Sequence, residues 1–347
     1  MTPESPEQLI ELVRDSAALS AHLSGPAPEG STIVDLSKLS SVIDYPAADM
    51  TITVQSGLMV TELQRTLSEH KQHLPIDVPR PDSTTIGDAV AWNLSGSRRF
   101  GYGTFRDHLI GVTAVDGQGR LFKSGGRVVK NVAGYDICKL LIGSRGTLAI
   151  ITELTFKVLP QPSATGGVSF DFDDLAAMDA VLEPTTTSAT RPRLIDIVAY
   201  GSQHVLMFGF DGTTSEVAWQ QERIRQEIDA TGTSMSAERV EAHLHSTSQL
   251  HTPAKDRFKA GLRPSIVTRF LQQSNCANVV AHAGNGIVVG ETASLHAIKA
   301  MAEGLGGWCE ENDAVTSVVA RTPAMERIRQ TFDPDNKLNP LAPTGRT

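Results

Sequence analysis

A run of hydroxylated residues ending in a glycine provides the first candidate binding site in this 347-residue chain. Between Pro81-Asp82 and an apolar helical pattern lie Ser83, Thr84, Thr85, Ile86 and Gly87. Hydroxyls, free amides and the dipole of a helix start all favour a phosphate group. A second turn, Gly143–Thr147, is tight enough for its amides to face a ligand without interference from Cβ atoms. The two turns predict a site for a phosphate-bearing cofactor.

Three arginines and one histidine are further candidates for a functional role. Arg98, Arg99 and Arg106 lie in one glycine-rich loop, and a guanidinium can bind a carboxylate through two hydrogen bonds. His282 begins the turn His282-Ala283-Gly284-Asn285-Gly286 at the end of a predicted strand. The alternatives are surface-exposed arginines and a purely structural histidine. The sequence does not identify a catalytic residue.

Other patterns are excluded as sites. His243 and His245 are two residues apart, which does not bring side chains together on a helix, and with His251 they lack carboxylates spaced to complete a metal site. We interpret these histidines as solvent-exposed, and we expect no metal. Gly101 and Gly103 lack the third glycine of a dinucleotide-binding fingerprint, because Arg106 stands there.

Well-marked elements surround the two turns. Ser5 and Pro6 begin a helix, and Asp136 is placed to cap another. Gly125-Gly126 and Gly134 flank Lys130-Asn131. The final strand of this region has apolar residues at period two, which predicts that one face carries Leu148, Ile150, Leu154, Phe156 and Val158.

Further elements follow from apolar periodicity. We predict helices at 61–70, 174–182, 216–228 and 295–305, and a hairpin whose turn is Asp116–Gly119. Strands are predicted at 32–36, 50–54, 109–115, 167–172, 194–199, 205–210, 279–281 and 286–289. The order gives a mixed α+β chain, with antiparallel strands and helices in its second half.

The stretch from Gly125 to Pro160 combines the pairs GG and KN, the triplet GYD, the turn GS-GTL, the strand start IITE and a terminal LP. In this combination the chain resembles the FAD-binding (PCMH-type) domain of the vanillyl-alcohol-oxidase and p-cresol-methylhydroxylase superfamily. The spacing is most similar to the FAD-binding subunit of bacterial glycolate oxidase. The resemblance covers about residues 31–160, and Phe332–Pro340 resembles the segment that returns to that domain.

The resemblance implies an α+β fold, in which an FAD domain of two small α+β subdomains precedes a ferredoxin-like antiparallel cap. The implied domains are 1–162, the cap at 163–320, and a returning segment at 321–347. FAD would be noncovalent, because no histidine or cysteine lies in a glycine-run loop. To the five residues of the first turn, the resemblance adds further cofactor-binding positions, namely Asn93, Ser95, Gly96, Tyr102, Gly103, Asp107, Gly146, Ile150 and Ile151.

Two departures from the family pattern are visible. Relatives carry, before the strand at Thr32, another strand ending in a glycine run that holds the FAD pyrophosphate. Here Ser24–Gly30 contains two prolines instead, so we expect that strand and its glycine run to be missing. Relatives also have two glycines where this chain has Gly87-Asp88, and an acid near a pyrophosphate is electrostatically unfavourable.

The implied activity is oxidation of a 2-hydroxy acid such as glycolate, as the FAD-binding subunit of a complex. Electrons would pass to partners, namely a paralogous FAD-linked subunit and an iron–sulfur subunit. Arg98, Arg99, Arg106 and His282 are the candidate substrate residues. The alternative is a subunit that keeps the fold for assembly and binds flavin weakly or not at all.

Composition restricts the remaining function classes. The net charge of −8 does not fit a nucleic-acid-binding surface. Cys138, Cys276 and Cys309 are too far apart for a disulfide framework or an iron–sulfur motif. The first residues lack a signal-peptide pattern, and no apolar run reaches the roughly 18 residues of a membrane span. We expect a cytoplasmic protein, either free or peripheral to the inner membrane through its partners.

Overall fold

The computed structural model describes most of the chain: residues 1–22, 30–127, 136–185, 188–200, 203–228, 230–251, 254, 256–274, 276, 278–311 and 322–339. Two sequence predictions therefore lie outside the described residues. These are the region around Lys130-Asn131 and Gly134, and nearly all of the loop Ser24–Gly30.

The helices and strands follow one another in mixed order. The helices are α1 Pro6–Asp15, α2 Val60–Ser68, α3 Ile86–Ala91, α4 Arg99–Tyr102, α5 Phe105–His108, α6 Ile137–Leu141, α7 Leu175–Thr185, α8 Thr214–Glu227, α9 Ala237–Leu250, α10 Val267–Ser274, α11 Leu295–Gly304 and α12 Pro323–Phe332. The strands are β1 Leu19–Ser20, β2 Thr32–Ile33, β3 Val42–Asp44, β4 Thr51–Gln55, β5 Gln72–His73, β6 Leu109–Asp116, β7 Leu121–Gly125, β8 Ala149–Lys157, β9 Leu159–Pro160, β10 Ala164–Phe172, β11 Leu194–Tyr200, β12 Gln203–Gly212, β13 Gly232–Met235, β14 Arg257–Gly261, β15 Asn278–His282, β16 Ile287–Glu291 and β17 Trp308–Glu311.

Helix starts confirm the capping predictions. The Ser5 hydroxyl accepts a hydrogen bond from the Gln8 amide at the start of α1. The Asp136 carboxylate does the same for the Lys139 amide at the start of α6. Side-chain oxygens at these positions satisfy amides that have no partner within the helix.

The chain divides into two compact units. The first contains Met1–Leu94, Thr104–Gln161 and Val318–Thr347, and the second contains Ser95–Gly103 and Pro162–Ser317. The antiparallel sheet of the first unit has the order β3-β4-β8-β6-β7. Helices α2, α3, α5 and α6 contribute buried apolar residues to the core with β8 at its centre.

A β-bulge interrupts the ladder between β6 and β8. Thr113 pairs with Glu153, but its neighbour Ala114 pairs with Ile151, so Thr152 has no residue opposite it. An extra residue reverses the alternation of side chains beyond it. Ile151 therefore lies in the main core, whereas Ile150 packs with the α1 core. The prediction that Ile150 shares a face with Leu154 is wrong for this reason.

A short strand, Leu19–Ser20, lies before β2, contrary to the prediction that it would be missing. Strand β1 pairs in parallel with β2, and β2 is shorter than the predicted 32–36 strand. On its other side, the Leu19 amide donates to Lys337 O and the Asn339 amide donates to Leu19 O, both at 2.8 Å. Two residues are too few to show a period, so β1 is formed by its neighbours rather than by its own pattern.

The second unit is built on one antiparallel sheet of eight strands in the order β13-β10-β12-β11-β15-β16-β14-β17. One face packs against α7, α8, α10 and α11. The opposite face carries Val198, Val280 and Val289, which pack with Leu250 at the end of α9. This arrangement confirms the predicted α+β fold with an antiparallel cap. None of the helices in the described parts of the chain is long and apolar enough to cross a membrane.

The contacts of Asn339 generate a stability prediction. Its amide oxygen accepts from the Ala21 amide, and its nitrogen donates to Ala21 O and to Arg145 O. Because Asn339 is buried, we expect Asn339→Ala to lower the free energy of unfolding by about 2 kcal/mol. Urea denaturation followed by circular dichroism measures it. The control Asp335→Ala changes an exposed residue of the same segment and should have little effect; equal losses in both variants would contradict the prediction.

Candidate functional site

The two predicted turns lie together in the first unit. The Gly143 amide donates to Val90 O at 3.1 Å, and the Arg145 amide donates to Ala91 O at 2.8 Å, so the second turn is attached to the end of α3. The Arg145 guanidinium lies 5.0 Å from the centroid of the Trp92 ring. Two polar atoms in this corner, Asn93 Oδ1 and Ser144 Oγ, are buried with no hydrogen-bond partner among the described residues.

The amides of the first turn are largely used within the protein. The Ser83 amide donates to Arg80 O, and the Ile86 amide to Leu58 O. The Gly87 amide donates to Ser56 O at 2.8 Å, and the Asp88 amide to the Thr85 hydroxyl at 3.1 Å. These amides face neighbouring protein groups, which differs from the expectation that they are free for a phosphate.

His22 is the residue of this site that sequence reasoning missed. Its Nε2 accepts the Ile151 amide at 3.0 Å, and its Nδ1 lies 3.1 Å from Asp88 Oδ1. Since Nε2 is an acceptor, Nδ1 carries the proton and donates to Asp88. The His22 side chain is 1% exposed. No local signal marks it, because its partners lie 66 and 129 residues away.

The other predicted cofactor residues of the first unit have mixed surroundings. Thr84 is buried and its hydroxyl donates to Pro79 O. The side chains of Ile86 and Ile150 are fully buried in apolar cores. Asp107 forms a capping box with Thr104 at the start of α5. Gly146 has φ +67°, and a Cβ there would meet Asn339 and Ala21 O, so packing alone requires glycine. Cofactor contact by these residues stays a prediction.

The remaining predicted cofactor positions, Ser95, Gly96, Tyr102 and Gly103, belong to the second unit. The Tyr102 hydroxyl donates to Asp211 Oδ2 at 3.0 Å. Burial, together with the nearby Asp211 carboxylate, raises the pKa of Tyr102 to about 12, so this phenol stays protonated. Its role in binding a cofactor is likewise a prediction.

A buried carboxylate gathers imidazoles in the second unit. Asp196 is fully buried on β11. Its Oδ1 lies 2.8 Å from His282 Nδ1 on β15, and its Oδ2 lies 2.7 Å from His243 Nε2 on α9. The His282 ring also contacts the Ser97 hydroxyl at 3.3 Å, and His251 stacks on it with 3.3 Å between the two Nε2 atoms. We call Asp196, His243, His251 and His282 the imidazole cluster.

The charges of the imidazole cluster are set by burial and by one another. Burial alone would raise the pKa of Asp196, but His282 and His243 outweigh it and hold that pKa below its ordinary value. Burial and the neighbouring His282 lower the pKa of His251 well below its ordinary value. The cluster therefore holds a carboxylate that orients two imidazoles, next to a third imidazole that resists protonation.

This cluster corrects the interpretation of the α9 histidines as solvent-exposed. His245 is exposed, but the side chain of His243 is only 8% exposed and pairs with Asp196. The spacing argument correctly denied contact between His243 and His245. It could not show that β11 and β15 bring Asp196 and His282 to His243.

The predicted substrate arginines already have partners. Arg98 forms an ion pair with Glu241 and lies 3.8 Å from Asp211. Arg106 is exposed and donates to Lys139 O at 3.0 Å. Arg99 is half-buried on α4. A guanidinium between two carboxylates is compensated, so Arg98 has less charge to offer a substrate acid.

Sequence reasoning missed a fourth arginine, Arg193. Its guanidinium lies 4.5 Å from the centroid of the Tyr102 ring, and its Nη1 donates to Gly101 O at 3.3 Å. Its Nε is buried and has no partner among the described residues. Arg193 lines a cavity of about 760 Å³ with Phe100 and Gly284. This combination of an apolar wall and a guanidinium with one available N–H can bind a small organic carboxylate.

Comparison with known proteins adds family information to this geometry. Residues 1–125 match a family profile described as an FAD binding domain. The chain is 25% identical over 324 residues to glycolate oxidase subunit GlcD of Bacillus subtilis (strain 168), covering 88% of this chain and 67% of the relative. It is 34% identical over 143 residues to glycolate oxidase subunit GlcE of Escherichia coli (strain K12), covering 41% of each chain.

Other similarities are broader or shorter. A D-lactate dehydrogenase of Anaerostipes hadrus is 34% identical over 146 residues, which is 42% of this chain and 30% of that protein. The fold matches a solved alkyldihydroxyacetonephosphate synthase with a TM-score of 0.71 at 17% identity, over 98% of this chain and 76% of that one. The chain thus spans less than half the length of two of the three curated relatives named here.

Fold and family match together indicate the class of domain in the first part of the chain. Residues 1–125 match an FAD binding domain, and the whole chain has the fold of the solved alkyldihydroxyacetonephosphate synthase. The predicted resemblance to glycolate oxidase subunits is confirmed. The prediction of FAD as the cofactor is confirmed by the family match.

The described residues fit FAD unevenly. Asn93 Oδ1 and Ser144 Oγ are buried polar atoms without a hydrogen-bond partner among the described residues. FAD is rich in hydroxyl and amide groups that could form these hydrogen bonds. The amides expected near its phosphates are mostly occupied, and the Asp88 carboxylate adds negative charge. The corner therefore suits the neutral parts of FAD better than its pyrophosphate.

Stability of the second unit should depend on pH through His251. In the unfolded chain a histidine gains a proton below about pH 6.5, whereas burial keeps folded His251 neutral. Unfolding then takes up a proton, so the free energy of unfolding should fall as the pH is lowered through about 6.5. The other charged groups near His251 are His282, Lys259 and Asp196, of which only Asp196 opposes this shift.

Thermal unfolding at about pH 7.5 and 5.5 tests this dependence, with His251→Gln as the variant. Glutamine can keep a hydrogen bond to His282 but does not titrate, so we expect a smaller loss of melting temperature at the lower pH than in the wild type. His245→Gln changes an exposed residue of α9, the helix that ends just before His251, and should keep the wild-type dependence. An unchanged slope in His251→Gln would show that the dependence has another origin.

Proposed function

We propose that this protein is the FAD-binding subunit of a complex that oxidises a 2-hydroxy acid, with glycolate as the first candidate substrate. The observation that carries the proposal is the FAD-binding domain at residues 1–125 in a chain similar to two glycolate oxidase subunits. Similarity to a D-lactate dehydrogenase supports the coarser substrate class, since lactate is also a 2-hydroxy acid.

Oxidation of a 2-hydroxy acid removes a hydride from the α-carbon and a proton from the hydroxyl. Bound FAD supplies the hydride acceptor. We assign the proton to His282. His282 Nδ1 donates its proton to Asp196 Oδ1, with 2.8 Å between the two atoms. This leaves Nε2 as the basic atom of the His282 ring. His251, 3.3 Å from that Nε2, is kept uncharged and can act as a neutral hydrogen-bond partner.

The carboxylate of the substrate requires a cation. Arg193 is the best candidate, since its Nε has no partner in the described parts of the chain, whereas Arg98 is compensated by Glu241 and Asp211. The turn that begins at His282 continues into Ala283 and Gly284, which line the same cavity as Arg193. One short segment thus adjoins both the proposed proton acceptor and the proposed carboxylate site.

The proposed partners of this protein are a paralogous FAD-linked subunit and an iron–sulfur subunit, which would accept the electrons. Two different glycolate oxidase subunits among the relatives support an assembly of several chains. A location in the cytoplasm, free or at the inner membrane through partners, belongs to this proposal.

The hydrogen bonds that already occupy amides near the predicted cofactor site favour a second function, assembly of the complex. His22 occupies the Ile151 amide and most amides of the first turn are bonded within the protein. A chain that binds FAD weakly could serve the complex as an assembly subunit while a partner performs the oxidation.

The visible spectrum separates the two functions. We expect the purified protein, incubated with FAD and desalted, to show flavin absorption near ~450 nm that glycolate or D-lactate bleaches under nitrogen. Bound flavin that neither acid bleaches, even with the partner subunits present, would contradict the substrate assignment. A colourless protein that still assembles with its partners would favour the assembly function.

His282→Gln tests the proposed proton acceptor. Loss of a general base typically costs 10²–10⁴-fold, so we expect kcat to fall by about 10²-fold or more with KM nearly unchanged. Steady-state oxidation by the assembled complex with an artificial electron acceptor measures both constants. His245→Gln is the matched control and should be neutral. A fall in kcat that is equal in both variants, or none in His282→Gln, would remove His282 from the mechanism.

Arg193→Gln tests the proposed carboxylate site. Removing the guanidinium should raise KM for the hydroxy acid by about tenfold or more, because a charge-assisted hydrogen bond is lost. Arg239→Gln is the control, since Arg239 is exposed on α9 and is not among the residues that line the cavity. Equal effects of both substitutions would indicate a general charge effect instead of a specific site.

A further inference from the structure

His22 has a backbone conformation that residues other than glycine seldom adopt. Its φ is +54°, in the left-handed region that glycine occupies freely and other residues adopt at a cost. Two contacts hold it there besides those of its imidazole: the Trp92 indole donates to His22 O at 2.6 Å, and the Ala21 amide donates to Asn339. A strained residue that is held by several specific contacts marks a functional position more often than an ordinary loop.

The β-bulge explains why an imidazole is needed at this position. Thr152 has no residue opposite it on β6, so the β6–β8 ladder loses its regular pairing at this point. On the other side of β8, the neighbouring strand β4 ends at Gln55. The Thr152 carbonyl accepts from the Ser56 amide, and the Ile151 amide donates to His22 Nε2. A buried amide must have a partner. His22 provides it in this chain.

The imidazole also fills space above Gly87. A Cβ built on Gly87 would lie 2.9 Å from His22 Cε1 and 2.7 Å from Ser56 Cβ. Ser56 is fully buried, and its hydroxyl has no partner among the described residues. Thus two of the predicted cofactor-binding residues, Gly87 and Ile151, contact His22, and Ser56 beside them has a hydroxyl without a partner among the described residues.

Asp88 completes the arrangement. Its carboxylate accepts the Nδ1 proton of His22 at 3.1 Å and is 27% exposed. This hydrogen bond fixes the tautomer in which Nε2 is free to accept the Ile151 amide. The carboxylate also places a negative charge beside the turn where the cofactor phosphates are predicted. Both members of the pair therefore disfavour FAD binding. His22 occupies the Ile151 amide, and Asp88 repels the cofactor phosphates through its negative charge.

We propose that the His22–Asp88 pair is an internal competitor of FAD, which occupies the Ile151 amide and the space above Gly87 until the cofactor displaces the imidazole. The inference rests on the proposed function, since it concerns the affinity of the same cofactor. FAD bound in this way supplies the acceptor that the Ile151 amide then needs. The pair makes the cofactor exchangeable rather than permanently held.

FAD binding to three variants of the full chain tests the inference: His22→Ala, Asp88→Asn and the double variant. Quenching of FAD fluorescence and isothermal titration measure the dissociation constant. We expect each single substitution to tighten FAD binding by about tenfold, since a competing hydrogen bond is removed. The double variant should gain less than the sum of both effects, because the two residues act as one pair.

Thermal unfolding distinguishes competition from a merely structural role. Without FAD, His22→Ala should melt at a lower temperature than wild type, because the Ile151 amide loses its partner. With saturating FAD the difference should shrink or reverse, since tighter binding stabilises the native state more. A structural role alone would lower the melting temperature with and without FAD by the same amount.

Two controls match the substitutions. Asp82→Asn removes one negative charge from the same loop at an exposed residue that bonds Thr61. His70→Ala removes an imidazole that packs against Tyr45. Both should leave the FAD dissociation constant within about twofold of wild type. If His22→Ala is poorly folded, Asp88→Asn alone still decides, because its carboxylate is partly exposed.

The outcomes separate this inference from the proposed function. FAD bound equally well or more weakly by His22→Ala and Asp88→Asn than by wild type overturns the inference and leaves the proposed function standing. FAD bound tightly by the variants, without oxidation of a hydroxy acid, supports the inference and contradicts the substrate assignment. No FAD bound by wild type or any variant overturns both.

Discussion

A single interruption of the central strand in the first unit determines much of what surrounds it. The bulge at Thr152 removes regular ladder partners from a strand that is otherwise buried on both faces. Unsatisfied backbone groups in such a place are costly, so other parts of the chain must reach them. Ser56 does so for the Thr152 carbonyl, and His22 does so for the Ile151 amide. The bulge also sends Ile150 to the α1 core, which joins the first helix to the sheet.

The second unit has a different dominant cost, which is a carboxylate with no access to water. Asp196 is placed on β11 facing α9, where a charge without partners would oppose folding. Two imidazoles, one from β15 and one from α9, donate to its two oxygens. The buried carboxylate thus fixes the orientation of both imidazole rings, because each imidazole can present only its remaining nitrogen to another group.

The two units illustrate how a shared fold can carry altered chemistry. The same fold is recognisable in a solved structure that is only 17% identical, because packing of sheet and helices tolerates many apolar combinations. Binding a particular cofactor is less tolerant, since a few polar groups must remain free. In this chain the family match identifies the FAD-binding domain, while His22 and the bonded amides of the first turn alter the groups left for the cofactor. Fold and activity are therefore separate questions here, as they are in other large superfamilies.

Local signals in the sequence were sufficient for most of the architecture. Caps at Ser5 and Asp136, the Asp116–Gly119 hairpin and the antiparallel second half depend on residues a few positions apart, and the structure confirms them. Three features were decided by the tertiary structure alone. They are the length of β1, the packing of Ile150 in the α1 core, and the contacts of His243 and His282 with Asp196. Those features depend on strand register and on partners as far as 129 residues apart in sequence, as for His22 and Ile151. Periodicity and capping cannot encode such contacts, because the energy that fixes them is the cost of burying polar groups without partners.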